Sequence, residues 1–148
     1  MGQGEIYYKK VVKPLIHLFM GPVFENMCRY YTLKHGIQNE FGSFITNVGS
    51  WWGSELIVNE YNEKKVQSAD IDVVGISPLD KSFIVGECKF KNEKVDKNVY
   101  LTLVRRAKLI KTNYKLTKYI LFSLSGFTNY FTEKNDNDLI LISLDMMY

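Results

Sequence analysis

The chain has 148 residues, of which 46% are hydrophobic and 24% charged, with a formal charge of +3. These values fit one globular domain with a single substantial core, and they exclude a fibrous or low-complexity protein. No apolar run approaches the roughly 20 residues of a membrane span, and Met1–Glu5 lacks the basic start and apolar stretch of a signal peptide.

Taken in order, Tyr7 to Met20 carries apolar residues at helical spacing, with a bend expected near Pro14. Gly21-Pro22 breaks and restarts the pattern. Pro22 to His35 therefore reads as a second helix, with Gly36 as its C-cap and Val23, Phe24, Met27, Tyr30, Tyr31 and Leu33 on its apolar face. The period then changes to that of strands. Phe44–Trp52 is a first strand, Lys65–Ile76 a second and Ser82–Lys89 a third. The short link Ser77-Pro78-Leu79-Asp80 makes an antiparallel hairpin of the last two. Asp96 caps a helix reaching about Asn113, with Val99, Leu103, Val104, Ala107 and Ile110 inward. Lys118–Ser125 and Leu139–Leu144 are further strands, with a helical turn at Asn129–Lys134 between them. The expected fold is one α/β domain with an α-β-β-β-α-β core, its central mixed sheet flanked by helices.

With Cys28 and Cys88 alone, neither a disulfide framework nor a Cys-rich zinc site can be built. Both lie in apolar surroundings and read as buried free thiols of a cytoplasmic protein. Charge is unevenly spread. The segment Lys89–Lys118 carries ten basic residues against two acids, while the remainder is net acidic. That asymmetry suggests a polyanion-facing side, with Arg105, Arg106 and Lys108 as candidate nucleic-acid contacts and a solvated helix face as the alternative.

The stretches that carry chemistry are Ala69-Asp70-Ile71-Asp72-Val73-Val74-Gly75 and Phe83-Ile84-Val85-Gly86-Glu87-Cys88-Lys89-Phe90. Residues two apart on a strand share a face, so Glu87 and Lys89 point together and Cys88 points away. The hairpin can bring Asp72 beside Glu87. Two facing carboxylates repel unless a cation joins them, and Mg²⁺ favours one or two carboxylates plus water and phosphate oxygens. A neighbouring lysine could then orient or deprotonate an attacking water. Of the remaining candidates, Trp51-Trp52 reads as one ring in the core and one half-exposed, with base stacking as the alternative. His17 reads as a packed histidine and His35 as one interacting with a helix C-terminus. Neither has a Ser or Cys partner at triad spacing.

Asp72 followed by Glu87-Cys88-Lys89 resembles the signature of PD-(D/E)xK nucleases, which include type II restriction enzymes and archaeal Holliday-junction resolvases. The resemblance narrows with Gly21-Pro22-Val23-Phe24-Glu25, Gly49-Ser50-Trp51-Trp52, Asp70-Ile71-Asp72 and Gly86-Glu87-Cys88-Lys89. Their order is similar to that in the C-terminal domain of archaeal-type DEXX-box ATPases, over roughly Pro14 to Ile110. It implies a restriction-endonuclease-like core and a Mg²⁺ or Mn²⁺ site held by Asp72, Glu87 and the Cys88 carbonyl. It also implies Lys89 and a helical acid, Glu25, as catalytic partners. The ATPases carry a phosphate-binding loop, and no Gly-x₄-Gly-Lys-Ser/Thr occurs here. The chain is therefore expected to be a single nuclease-like domain from the C-terminal part of a larger ATPase, or a stand-alone relative; Tyr7 and Tyr8 would then cover a surface for a preceding domain.

Two functions follow as expectations. One is a metal-dependent phosphodiesterase acting on DNA. The alternative is a catalytically idle domain that binds nucleic acid or docks onto an ATPase.

Overall fold

The computed structural model describes residues 13–134 and 136–147, with side chains from residue 21 onward. Tyr7, Tyr8 and the side chain of His17 lie outside this range. Helix α1 (Lys13–Ile37) is followed by strands β1 (Asn47–Val58), β2 (Lys64–Ser77) and β3 (Ser82–Lys89), helix α2 (Lys97–Ala107) and β4 (Lys115–Ser123). A short helix α3 (Asn129–Thr132), β5 (Leu139–Ser143) and a 3₁₀ turn (Leu144–Met147) complete the described chain. The strands form one mixed sheet in the order β1-β2-β3-β4-β5. Consecutive pairs from β1 to β3 are antiparallel, and β3–β4 and β4–β5 are parallel. Parallel neighbours need a crossover, which α2 supplies between β3 and β4. The protein is thus an α/β fold, and the β2–β3 hairpin stands where the turn residues predict it. Among the described residues, no helix is long and apolar enough to cross a membrane.

Several boundaries differ from the sequence expectation, each for a physical reason. One helix, α1, runs through Gly21-Pro22 instead of two meeting there. Proline removes one ladder hydrogen bond but its fixed φ is itself helical, so packing of Phe24 and Cys28 can hold the helix together. Of the expected apolar face, Val23 and Tyr30 are exposed while Phe24 is buried. Strand β1 continues past Trp52 to Val58, because its register is set by pairing with β2 and not by its own polar composition. The Asn59 side chain closes that hairpin by accepting the Tyr61 and Glu63 N–H groups. Helix α2 stops at Ala107, where Leu109 and Ile110 donate back three residues in a tightened final turn.

Apolar alternation along the strands sorts side chains onto the two faces. Val73, Ile84, Cys88, Ile120 and Phe122 pack with Phe24 and Cys28 of α1. Ile71, Val74, Phe83, Val85 and Leu121 pack with Tyr100, Leu103 and Ala107 of α2. Each fully buried Val, Ile, Leu or Phe among them contributes roughly 1.5–3 kcal/mol. Gly36 is required where α1 meets the following loop, since a Cβ there would lie 2.5 Å from the Ile45 Cβ.

Ile71 and Val73 would share a face in a regular strand, yet they lie on opposite sides of the sheet. The register explains why. Between the pairs Gly49–Val74 and Trp51–Ile71, β1 advances two residues and β2 three, so β2 carries a bulge at Asp72. Bulges commonly re-aim a side chain.

One ion-pair network ties α2 to the hairpin. Glu55 is buried on β1 and accepts from Arg105 Nε at 3.1 Å, from an Arg106 terminal nitrogen at 3.4 Å and from Gln67 at 2.7 Å. Hydrogen bonding from Arg105 is the largest effect holding the Glu55 carboxyl down at about 2, against the opposing effect of burial. The stabilisation is present above the unfolded carboxylate pKa and is lost as pH falls towards about 2. Glu55→Ala leaves Arg106 partly buried with less compensation, so urea denaturation should show a loss of about 3 kcal/mol. A loss below about 1 kcal/mol would mean that the network behaves as an ordinary surface pair.

Candidate active site

The β2–β3 ladder runs from Ser77–Ser82 to Val73–Gly86, and beyond it the strands part. Asp72 stands at that fork. Its Oδ2 accepts the Cys88 N–H at 2.9 Å, so a carboxylate occupies the place of the next ladder bond. In a sheet the N–H and C=O of one residue face the same neighbour, so the Cys88 carbonyl faces the same gap. From α1, Arg29 donates to the Asp72 carbonyl oxygen at 2.8 Å and to Asn26 Oδ1 at 2.6 Å, which fixes the bulged backbone.

Glu87 and Lys89 share the α2 face, as their spacing requires, with Lys89 Nζ 3.6 Å from Glu87 Oε1. A cavity of about 260 Å³ opens beside them, lined also by Asn98, Thr102 and Arg106 of α2. Those three residues are four apart and form one polar stripe on the helix. A second cavity of about 190 Å³ lies against Asp72 and includes Glu25, Arg29, Ser50, Trp52 and Asp70.

The electrostatics show how closely the acids are crowded. Burial pushes the Glu87 carboxyl up to about 8, and the charge of Asp72 and a hydrogen bond with it add to the effect, against the opposing Lys89 charge. Glu25 is likewise raised, by burial first and then by Asp72, while Arg29 opposes. Asp72 and Lys89 thus act on both Glu25 and Glu87. A raised Glu87 means that the folded state binds a proton which the unfolded state releases above the ordinary carboxylate value of 4.5. Stability of the metal-free protein should therefore fall as pH rises from about 4.5 to about 8, by on the order of a few kcal/mol. Glu87→Gln, which stays neutral, should flatten that dependence in a series of thermal melts. An equally sloped variant would place the titration elsewhere.

Among the described residues, no group of three or more His, Cys, Asp or Glu side chains is arranged to hold a metal ion. Two carboxylates and a backbone oxygen nevertheless fit Mg²⁺, which keeps several waters and does not need an all-protein cage. A cation would also replace the proton that the Asp72–Glu87 contact now retains.

The other candidates fall as follows. Arg105 and Arg106 turn to Glu55, and Arg106 also contacts the Asp70 carboxylate at 3.2 Å, so their charge is largely compensated within the protein. Lys108 is exposed. Cys28 and Cys88 are buried free thiols, and burial pushes the Cys88 thiol well up, which makes it a poor nucleophile. His35 pairs with Glu40 just beyond the end of α1. Trp51 is partly buried, but Trp52 is 82% exposed and not half-exposed as the sequence suggested. Sequence reasoning missed Arg29, Asn98 and Thr102. The signal was present: Arg29 follows Glu25 by four residues, and Asn98 and Thr102 precede Arg106 at the same interval.

No curated protein and no solved structure matches the chain. A family model does match, over residues 1–101, a range that contains Glu25, Asp72, Glu87, Cys88 and Lys89. The chain belongs to that family, DUF234, described as archaeal and bacterial proteins of unknown function.

Proposed function

We propose that this domain is a metal-dependent phosphodiesterase of the PD-(D/E)xK type that cleaves DNA. The observation that carries the reading is the fork of β2 and β3. There Asp72 holds the Cys88 N–H, Glu87 keeps a proton to about 8 beside it, and Lys89 stands 3.6 Å from Glu87. The order of helix, three antiparallel strands, helix and parallel strand supports a restriction-endonuclease-like core.

Asp72, Glu87 and the Cys88 carbonyl would hold Mg²⁺ or Mn²⁺. Bound there, such an ion supplies a Lewis acid for the phosphate and a bound water of lowered pKa. The protein's own groups account for the rest. Glu87 must lose its proton for the pair to act as donors, which occurs more readily as pH approaches 8. Lys89 can orient an incoming water and pass its proton on, since it lies on the same strand face as Glu87. Arg29 keeps the Asp72 backbone in its bulged position. Glu25 adds negative potential from α1. Phosphates would approach over the exposed lysines Lys91, Lys94, Lys97 and Lys108, whose charges are not drawn into the Glu55 network.

The similarity to the C-terminal domain of archaeal-type DEXX-box ATPases supports an ATPase domain or subunit as partner. Inward pairing of Arg105 and Arg106 favours the second reading, an idle docking domain, because it reduces the positive surface available to nucleic acid. Cleavage assays with Mg²⁺ or Mn²⁺ on linear, branched and single-stranded DNA decide between them. Metal-dependent products support the nuclease. Binding of nucleic acid or an ATPase without products supports the idle domain.

A further inference from the structure

Trp52 is the largest apolar side chain that the fold leaves in water, at 82% exposure. Its neighbour Trp51 shows that the local chain can bury an indole. Trp51 packs against the α2-side core, and its ring lies so close to Gly53 that a Cβ there would sit 2.8 Å away. Alternation along β1 then turns Trp52 to the opposite face. The acidic cleft opens beside it: Trp52 lines the cleft with Glu25, Arg29, Asp70 and Asp72, Trp51 and Ile71 reach it from the α2-side core, and Trp52 is the direct cross-strand partner of Asp70. From strand spacing, its backbone lies about 8–9 Å from that of Asp72.

We propose that Trp52 stacks on an unpaired base next to the phosphodiester at the Asp72 site, which makes DNA with a splayed or single-stranded base the substrate class. This inference rests on the nuclease reading. Within a duplex, base faces are covered by their stacked neighbours and only edges and backbone are presented, so an indole on the rim finds no face to cover. An unpaired base offers one, and stacking tolerates any base because each has a π-face. The continuing hairpin surface, with Leu56, Val58 and Val66 exposed, would extend the platform along the strand that leaves the site.

The test uses the full chain with Mg²⁺ and short oligonucleotides carrying phosphorothioate linkages to slow cleavage. The sequence has two tryptophans, so Trp51→Phe leaves the emission of Trp52 alone. Single strands and flaps should quench it, and blunt duplex should not. If Trp51→Phe fails to fold, the difference in emission between wild type and Trp52→Ala serves instead, since Trp52 makes little contribution to the core. Trp52→Ala should weaken binding of single strands and flaps by roughly 5- to 150-fold, and Trp52→Phe should recover most of it. Blunt-duplex binding should stay unchanged. DNA binding with no quenching and no loss in Trp52→Ala would overturn the proposal. Equal loss on blunt duplex would overturn it as well, making Trp52 a support of the cleft. If wild type binds none of these DNAs, the nuclease reading falls together with it.

Discussion

Asp72→Asn is expected to remove metal-dependent cleavage while leaving the protein folded. The Asn side chain keeps an oxygen where Asp72 Oδ2 accepts the Cys88 N–H, so the closure of the β2–β3 fork survives. Its neutral charge has two consequences. One anionic donor is lost from the two carboxylates, Asp72 and Glu87, proposed to hold the ion. In addition, the second-largest cause that raises Glu87 disappears, leaving burial as the main effect on that carboxyl. The cation contributes several kcal/mol to stabilising charge in the transition state, which corresponds to a fall of at least about 10³-fold in rate. Calorimetric titration should show weakened Mg²⁺ binding. Metal-free thermal melts near pH 8 should show a variant at least as stable as wild type, because the repulsion between the two acids has gone. A variant that unfolds would assign Asp72 a structural role. One that cuts normally would remove it from the site.

The sequence made the centre of this site legible and left its rim obscure, for physical reasons that differ by residue. Glu87 and Lys89 share a face because strands alternate, a rule that needs no tertiary information. Asp72 could be placed beside them from the short turn at Ser77–Asp80, which allows only an antiparallel return. The bulge that aims Asp72 is another matter. It appears only as a mismatch in count between β1 and β2, and neither strand alone encodes it. The same dependence on a partner explains the extension of β1 to Val58, where Gly53 and Ser54 weaken the local strand signal and pairing with Ala69 and Ser68 overrides it. Charge was the least transferable signal. The basic stretch from Lys89 to Lys118 is real as composition, but Arg105 and Arg106 face a buried Glu55 that lies 50 and 51 residues earlier, a contact that no local pattern announces.

Lys89→Ala is expected to separate chemistry from metal binding. Lys89 is a cation and cannot serve as a ligand to another cation, so its loss leaves Asp72, Glu87 and the Cys88 carbonyl in place. Its charge does hold the Glu87 carboxyl below where burial and Asp72 would otherwise put it. Removing it lets Glu87 rise further, and metal affinity near neutral pH should fall modestly. The effect is limited because the Lys89 side chain is 32% exposed and its field is screened by solvent. Cleavage should fall much more, by about 10²–10⁴-fold, the usual contribution of a positioned acid–base group. Lys89→Arg supplies the control. It keeps the positive charge, so metal affinity should return to the wild-type value, but a guanidinium cannot give up a proton near neutral pH, so the rate should stay low. If Lys89→Arg restores both, Lys89 acts as a charge alone. If Lys89→Ala cleaves within about threefold of wild type, far short of the acid–base range, the lysine takes no part in the reaction and Glu87 must lose its proton without it.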